Sequence, residues 1–375
     1  MELELQVQAE HQSQPVVGDW RHMVASGLYQ TGLLRAFQAV SRHCELASDN
    51  GGGERLRRVR KPKYAVLGYH GVGAHEFPMY CRFPKRVFAE QMRYIERHYR
   101  VLSLRQMVEE LQNPPAQGQS VVVTFDDGYL GTYTDAFPVL KEYGIPATVY
   151  VIAGSIESGE IPWYDRIFQR FQRAGSEVTV TLDTQRNFRL TDFASRVDAA
   201  TRVVWYLCTL PDEERQRWCN SFEEEVPLPS GELCGSMMNW DQVREMHHAG
   251  ISFGSHTMTH PVLSRLTPDA LQREVAESKW LIENRLDAGV EDFAFPFGKP
   301  PDCGAVGAKV LSALGLRTAV TTIVGINEPG ADRFQLRRMV QGEDPSIAMF
   351  ALRLQRLFFR SADEELTAVA SSTGA

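Results

Sequence analysis

The sequence predicts an α/β protein built on a largely parallel β-sheet. From Tyr64 onward, short β-branched and aromatic runs alternate with amphipathic helical patterns, which is the order of repeated βα units. Seven strand-like runs occur in this part of the chain. Seven units predict either a barrel one unit short of eight or a strongly curled open sheet.

The predicted strands are short and apolar, and helical patterns lie between them. The strands are 65–69, 121–125, 147–152, 251–254, 292–295, 318–322 and 336–340. The helices are 84–98, 103–111, 132–143, 241–249, 268–286, 305–314 and 345–359, and several of them begin at Ser, Thr or Pro, as helices commonly do.

One long stretch interrupts the alternation between the third and fourth predicted strands. It contains IPWYDRIF at 161–168, the strand-like VTVTLDT at 178–184 and a charged helical pattern at 212–226. Insertions on this side of an α/β fold often shape the active site. We therefore expect residues of about 155–238 to form a cap over the site.

The remaining segments flank the predicted barrel, which spans 63–345. Residues 1–62 combine an amphipathic helical pattern at 20–43 with a glycine-containing, basic linker, and 346–375 contain a helix and a polar tail. The N-terminal helix either packs on its own domain or lies in a membrane interface. The linker is either solvated or contacts anionic groups, so peripheral membrane contact through 20–63 stays open.

Composition narrows the class of protein. The chain has 375 residues, 43% hydrophobic and 23% charged, with a net charge of −7, so nothing points to a nucleic-acid partner. Six cysteines without a CxxC pair favour reduced thiols in the cytosol. The first residues lack a signal-peptide pattern, and no apolar run approaches the roughly 18 residues of a membrane span. We expect a cytoplasmic protein, peripheral to the inner membrane if the basic linker binds it.

The stretch VVVTFDDGY at 121–129 is the first that indicates chemistry. A buried strand ends at Asp126 and Asp127, and a glycine follows that allows a sharp turn. Because the chain curls at a strand end, both carboxylates can reach one site, one as a metal ligand and one as a base. The alternative is ordinary Asp-Gly turn chemistry.

His256 and His260 follow the predicted strand 251–254 at a spacing that chelates metals on helices. Pro261 disfavours helix at His260, so we expect a strand-end turn. The loops that follow parallel strands converge at one edge of the sheet, which would bring Asp127 to both histidines. A two-His, one-carboxylate site with open positions would result.

Two aromatic stretches complete the candidate site. In FAFPFG at 293–298, Pro296 and Gly298 predict an unusual backbone that turns the Phe297 N–H towards the site as an oxyanion donor, or else a tight aromatic core turn. The stretch PWYD at 162–165 of the insertion is either an aromatic wall of the substrate site or, through Trp163, an anchor of the cap.

These residues resemble the motifs of the polysaccharide deacetylase superfamily, the NodB-homology or carbohydrate esterase family 4 enzymes. TFDDG is similar to the first motif, in which the earlier aspartate, here Asp126, is the base and the later, here Asp127, binds the metal. His256 and His260 match the second, His-Ser/Thr-x-x-His. The resemblance covers about 64–340 and implies a distorted (β/α)7 barrel.

Two motifs depart from the family pattern. Ala294 stands where an arginine usually orients the catalytic aspartate; Arg338 is a candidate substitute, or a surface or core-rim arginine. The Leu-x-His motif that provides the acid is missing, but Tyr69–His70 resembles an early motif of the poly-N-acetylglucosamine deacetylases, whose motif order is permuted. His70 is then either the acid or a histidine that satisfies a buried carbonyl.

The resemblance implies metal-dependent hydrolysis of the N-acetyl amide of an acetamido sugar in a bacterial polysaccharide or its precursor. The cofactor is a divalent metal, most simply zinc, and Tyr129, Trp163, Phe297 and Arg338 are placed with the substrate or the oxyanion. The alternatives are a deacylase of a lipid-linked or small glycan at the cytosolic membrane face, and a silent glycan-binding protein on the same fold.

Overall fold

The structure is a computed structural model that describes residues 61–73, 82–226, 236–303, 307–342 and 346–359. The predicted helix at 20–43, nearly all of the basic linker and the C-terminal tail lie outside these ranges. Within the described ranges, no helix has both the length and the apolar character needed to cross a bilayer. The predicted membrane contact and domain boundaries stay predictions.

The first part of the barrel alternates strands and helices. Its elements are β1 (Lys63–Tyr69), β2 (Gly71–Val72), β3 (Arg82–Phe83), α1 (Lys85–His98), β4 (Arg100–Val101), α2 (Leu104–Gln112), β5 (Gln119–Phe125), a π-helical turn (Thr132–Ala136) that leads into α3 (Phe137–Tyr143), and β6 (Ala147–Val151). Ser103 and Gln106 form a capping box that begins α2, which explains the predicted start of that helix.

The insertion folds into helices and one hairpin. It contains α4 (Ala153–Ser158), α5 (Trp163–Arg173), the antiparallel pair β7 (Glu177–Thr181) and β8 (Gln185–Arg189), α6 (Phe193–Leu207) and α7 (Asp212–Glu225). Apolar side chains of α5, α6 and α7 pack together in a cluster around Phe171 and Phe222. The cap therefore has a hydrophobic core of its own.

The second part of the barrel resumes the alternation. Its elements are α8 (Trp240–His248), β9 (Ser252–Ser255), a 3₁₀ turn (Leu263–Arg265), α9 (Pro268–Leu286), β10 (Asp292–Ala294), α10 (Pro300–Cys303), α11 (Gly307–Ala313), β11 (Thr318–Val320) and β12 (Met339–Val340). A last helix, α12 (Ile347–Phe359), belongs for the most part to a different compact unit.

The main sheet is parallel throughout and has the strand order β11-β10-β9-β6-β5-β1-β12, with β4 also paired to β5. Leu336 bridges Val320 of β11, and Met339 pairs with Leu67 of β1. The segment that holds β12 thus contacts both edges of the sheet. The result is a distorted (β/α)7 barrel, and all seven predicted strands are confirmed.

Two predicted elements differ in detail. The helix predicted at 132–143 begins as a π-helical turn. The strand predicted at 336–340 is a regular strand only at Met339–Val340, because Leu336 pairs with a different neighbour. The side chain between these two pairings, Arg338, is fully buried.

Candidate metal centre and catalytic site

The predicted site residues meet at the carboxyl edge of the barrel. Asp126 and Asp127 directly follow β5, and His70 directly follows β1. His256 and His260 follow β9, and Phe297 lies just after β10. Parallel strands end at the same edge, so residues distant in sequence become neighbours.

The backbone at these strand ends is unusual. Five described non-glycine residues have positive φ, and four of them are Asp127 (70°), Thr257 (69°), His260 (58°) and Phe297 (59°). This region of φ is costly for residues with a Cβ, and such residues concentrate at functional sites. The turn at 256–260 is therefore not helical, and its two histidines approach each other through left-handed residues.

Asp127, His256 and His260 form one compact buried group. Their ligand atoms all lie within 4.8 Å of one another. Nε2 of His256 is 3.5 Å from Oδ1 of Asp127, and Nε2 of His260 is 3.7 Å from the same oxygen. That oxygen has no hydrogen-bond partner among the described atoms.

The chemistry of these atoms fits a divalent cation. Nδ1 of His256 lies 2.8 Å from the carbonyl oxygen of Ala294, so it carries the proton and leaves the Nε2 lone pair facing Asp127. Burial lowers the pKa of His256 to about 4 and that of His260 well below its ordinary value, which keeps both rings neutral. Neutral imidazole is the form that binds metal.

The surroundings of Asp127 would also favour a nearby cation. Burial, together with the neighbouring carboxylates of Asp126 and Asp165, raises its pKa well above the ordinary value. A positive ion between the two imidazoles and the carboxylate would offset this cost. Two His and one carboxylate with open positions suit zinc and other divalent metals.

Asp126 has its own counter-charge. Nη1 and Nη2 of Arg338 each donate to one of its carboxylate oxygens at 2.7 Å, and Nε of Arg338 donates to the Thr321 carbonyl. Although burial alone would raise the pKa of Asp126, the guanidinium lowers it below its ordinary value. Asp126 is therefore ionised and held in one orientation. Arg338 is thus not a surface arginine.

His70 lies beside Asp126, with Nε2 3.9 Å from Oδ2. Its Nδ1 has no partner among the described atoms, so the alternative of a histidine bonded to a carbonyl is not observed through that nitrogen. Burial lowers the pKa of His70, while Asp126 opposes that change. The structure places His70 where it can exchange a proton next to the ionised carboxylate of Asp126.

The histidine loop is fixed by neighbours that sequence reasoning missed. Glu274 of α9 accepts from the backbone N–H groups of Met258 (2.9 Å) and Thr259 (3.0 Å) and from the Thr259 hydroxyl (2.7 Å). Glu274 borders the inward stripe of α9 that contains Leu271 and Val275. A glutamate next to the buried positions of a helix was the sequence signal that could have indicated a buried hydrogen-bond acceptor here.

The cap also contacts the candidate metal ligands. Trp163 is only 4% exposed, and its indole N–H donates to the carbonyl oxygen of His260 at 3.0 Å. Tyr164 donates to Asp127, and its ring packs on that of His260. This burial favours the anchoring role of Trp163 over a sugar-stacking wall.

Tyr129 and Phe297 differ in accessibility. Tyr129 is fully buried, and its hydroxyl donates to Asp165 and lies 3.4 Å from the Tyr164 hydroxyl, which favours a structural role over the predicted substrate contact. Phe297 is partly exposed, and its ring lies 5.0 Å from that of His260. Its role as an oxyanion donor stays a prediction.

Comparison with known proteins agrees with this geometry. The family model for polysaccharide deacetylase matches residues 113–191 and 218–319, which include both aspartates and both histidines. The chain belongs to the polysaccharide deacetylase family. It is accordingly a deacetylase, a hydrolase. His70 and Arg338 lie outside the matched residues, as does the segment 192–217.

Individual relatives cover different shares of the chain. YxkH of Bacillus subtilis, named for the polysaccharide deacetylases, is 25% identical over 277 residues, 73% of this chain and 68% of its own length. The poly-β-1,6-N-acetyl-D-glucosamine N-deacetylase of Staphylococcus epidermidis is 35% identical over 72 residues, 19% of this chain and 25% of its own length. The structure of Streptococcus pyogenes deacetylase PplD in complex with acetate shares the fold, with a TM-score of 0.53 and 20% identity over 78% of this chain and 98% of that chain.

Proposed function

We propose that this enzyme removes the N-acetyl group from an acetamido sugar of a bacterial polysaccharide or its precursor, with a divalent metal, most simply zinc. The observation that carries this proposal is the pairing of Arg338 with Asp126 directly beside the Asp127, His256 and His260 group. An ionised, oriented carboxylate next to a metal-ligand set is suited to metal-assisted hydrolysis of an amide.

Each residue has a defined task in this reaction. Asp127, His256 and His260 hold the metal, which when bound makes water more acidic and polarises the amide carbonyl. Asp126 accepts a proton from the attacking water, and Arg338 keeps it ionised and aligned. The Phe297 N–H stabilises the negative charge that develops on the carbonyl oxygen. His70 gives a proton to the departing sugar amine, and acetate is released.

The permuted motif order supports a poly-N-acetylglucosamine type of substrate. His70 follows the first barrel strand, where the resemblance places the acid of that branch, and the Staphylococcus epidermidis enzyme of that name shares a 72-residue match. The pairing of Asp126 with Arg338 disfavours the silent glycan-binding alternative, because a binding protein does not need an oriented base.

Acetate release tests the proposal. Protein stripped of metal with a chelator and reloaded with zinc should release acetate from N-acetylglucosamine oligomers, and the stripped protein should not. Lipid-linked acetamido sugars, tested in parallel, distinguish the alternative at the membrane face. Absence of acetate from every glycan after reloading would contradict the proposed reaction.

A further inference from the structure

Trp205 is a large aromatic residue at the rim of the site. Its side chain is 43% exposed, although it lies on α6 within the cap. Its ring centroid is 6.2 Å from that of Phe297, which in turn is 5.0 Å from that of His260. A single aromatic ring therefore separates an exposed indole from a metal ligand.

Trp205 is not required to attach its helix to the cap. Other side chains of α6, including Ala200, Val203 and Leu207, are buried in the cap core and attach the helix there. Isolated exposed hydrophobic residues are common and by themselves indicate nothing. The position of Trp205 and its charged neighbour distinguish it.

That neighbour is Lys299. Its ammonium lies 4.9 Å from the centre of the Trp205 ring, in a cation–π contact. Lys299 is exposed and follows Phe297 by two residues, in the loop after β10. The loop after β10 thus supplies both Phe297, which lies beside His260, and Lys299, which lies at the rim of the site.

Trp205 comes from a part of the chain that the family model does not describe. The segment 192–217 lies between the two matched ranges, and it contains all of α6. The indole therefore lies outside the ranges that the family model matches, whereas Phe297 and Lys299 lie within them.

We propose that Trp205 and Lys299 form a subsite for a second sugar of the glycan, next to the sugar that loses its acetyl group. The apolar C–H face of a pyranose would stack on the indole, and the ammonium would donate hydrogen bonds to sugar oxygens. This inference rests on the proposed function. It means that the enzyme prefers oligomers to a single acetamido sugar, through binding rather than through the chemical step.

Kinetics on substrates of two lengths test the subsite. For Trp205→Ala we expect KM for an N-acetylglucosamine pentamer to rise about tenfold more than KM for the monosaccharide, with kcat for the pentamer nearly unchanged. Trp205→Phe should restore much of the pentamer binding because it keeps a stacking ring. Lys299→Met, which keeps an apolar stem without the charge, should raise the pentamer KM by a smaller factor.

Trp280→Ala is the matched control, since Trp280 is 65% exposed on α9 and should leave both substrates unaffected. Equal pentamer KM values for wild type and Trp205→Ala would overturn the subsite, as would losses that are the same for both substrates. An inactive wild type would instead contradict the proposed reaction. In that case, calorimetric titration of the pentamer into wild type and Trp205→Ala still decides the subsite, because equal affinities would refute it.

Discussion

The two halves of the site, which begin at adjacent aspartates, are stabilised in different ways. The base half, Asp126 with Arg338 and His70, contains a fully buried guanidinium that lowers the pKa of Asp126. The metal half, Asp127 with His256 and His260, contains no cationic side chain, and burial raises the pKa of Asp127.

The difference indicates which half depends on an added ion. Barrel residues complete the base half, so it should persist without metal. The metal half concentrates acceptor atoms that a bound cation would satisfy, and cap residues and Glu274 hold its backbone in place. The following predictions test this asymmetry, from the largest expected effect on activity or metal binding to the smallest, and then through the stability of the fold.

Loss of a metal ligand should have the largest effect. In His260→Ala we expect bound metal to fall far below one ion per chain and acetate release to drop by about a thousandfold, because the metal supplies several kcal/mol of transition-state stabilisation. Elemental analysis and acetate release measure both. His248→Ala, at an exposed position on α8, is the control. Undiminished metal in His260→Ala would contradict the assignment.

The base should be separable from the ligands. Asp126→Asn keeps the size of the side chain but cannot take a proton, so we expect full metal content and a rate loss of about a hundredfold or more. Arg338→Lys keeps the positive charge but loses the bidentate hydrogen bond to Asp126. We expect this variant also to retain its metal. Normal turnover of Asp126→Asn would make Asp126 structural.

His70→Ala should retain metal and fold while losing about a hundredfold in rate. Because burial lowers the pKa of His70, its cation is lost at a lower pH than that of an exposed histidine. Activity that needs the imidazolium therefore declines as pH rises through this lowered pKa, and that limb should vanish from the residual activity of His70→Ala. A wild-type pH–rate profile in the variant would assign the acid to another group.

Support of the histidine loop should affect metal affinity more than folding. Glu274→Gln replaces one of the two carboxylate oxygens, which accept hydrogen bonds from Met258 and Thr259, with an NH2 group that cannot accept. Because this loosens the histidine loop, we expect metal to bind roughly tenfold more weakly. Competition with a chelator gives the dissociation constant. Glu277→Gln, at an exposed position one turn along α9, should bind metal as wild type does. Equal affinities for the two variants would limit Glu274 to a packing role.

The last prediction concerns the fold rather than activity or metal binding, and is the pH dependence of stability in metal-stripped protein. A histidine whose folded pKa is lowered stabilises the fold above its unfolded pKa of about 6.5 and loses that contribution as pH falls towards the folded value. With a folded pKa of about 4, His256 should contribute a loss of roughly 3 kcal/mol between pH 7.5 and pH 4.

Urea denaturation at several pH values measures this loss. Asp127 acts in the opposite direction, since its raised pKa favours the fold at low pH. His256→Gln isolates the histidine contribution, because only that titration is removed, and its free energy of unfolding should fall less on acidification. An identical fall in wild type and His256→Gln would refute this account.

Local chemistry made much of the fold and part of the site predictable. Alternating apolar runs and helix caps at Ser103 and Thr267 are encoded within a few residues, so the sequence located the strands and helices closely. The motifs around Asp126, Asp127, His256 and His260 are also local, and strand-end geometry places them at one edge of a parallel sheet.

Tertiary structure decided the contacts between distant segments. That Arg338 pairs with Asp126 depends on a strand that changes neighbours between Leu336 and Met339, and no local pattern encodes this change. Trp163 and Glu274 reach the histidine loop only because the cap and α9 pack against it. Charge pairing and burial depend on distances in space, so the sequence by itself determined which groups were available, and the packing of the barrel determined which of them met.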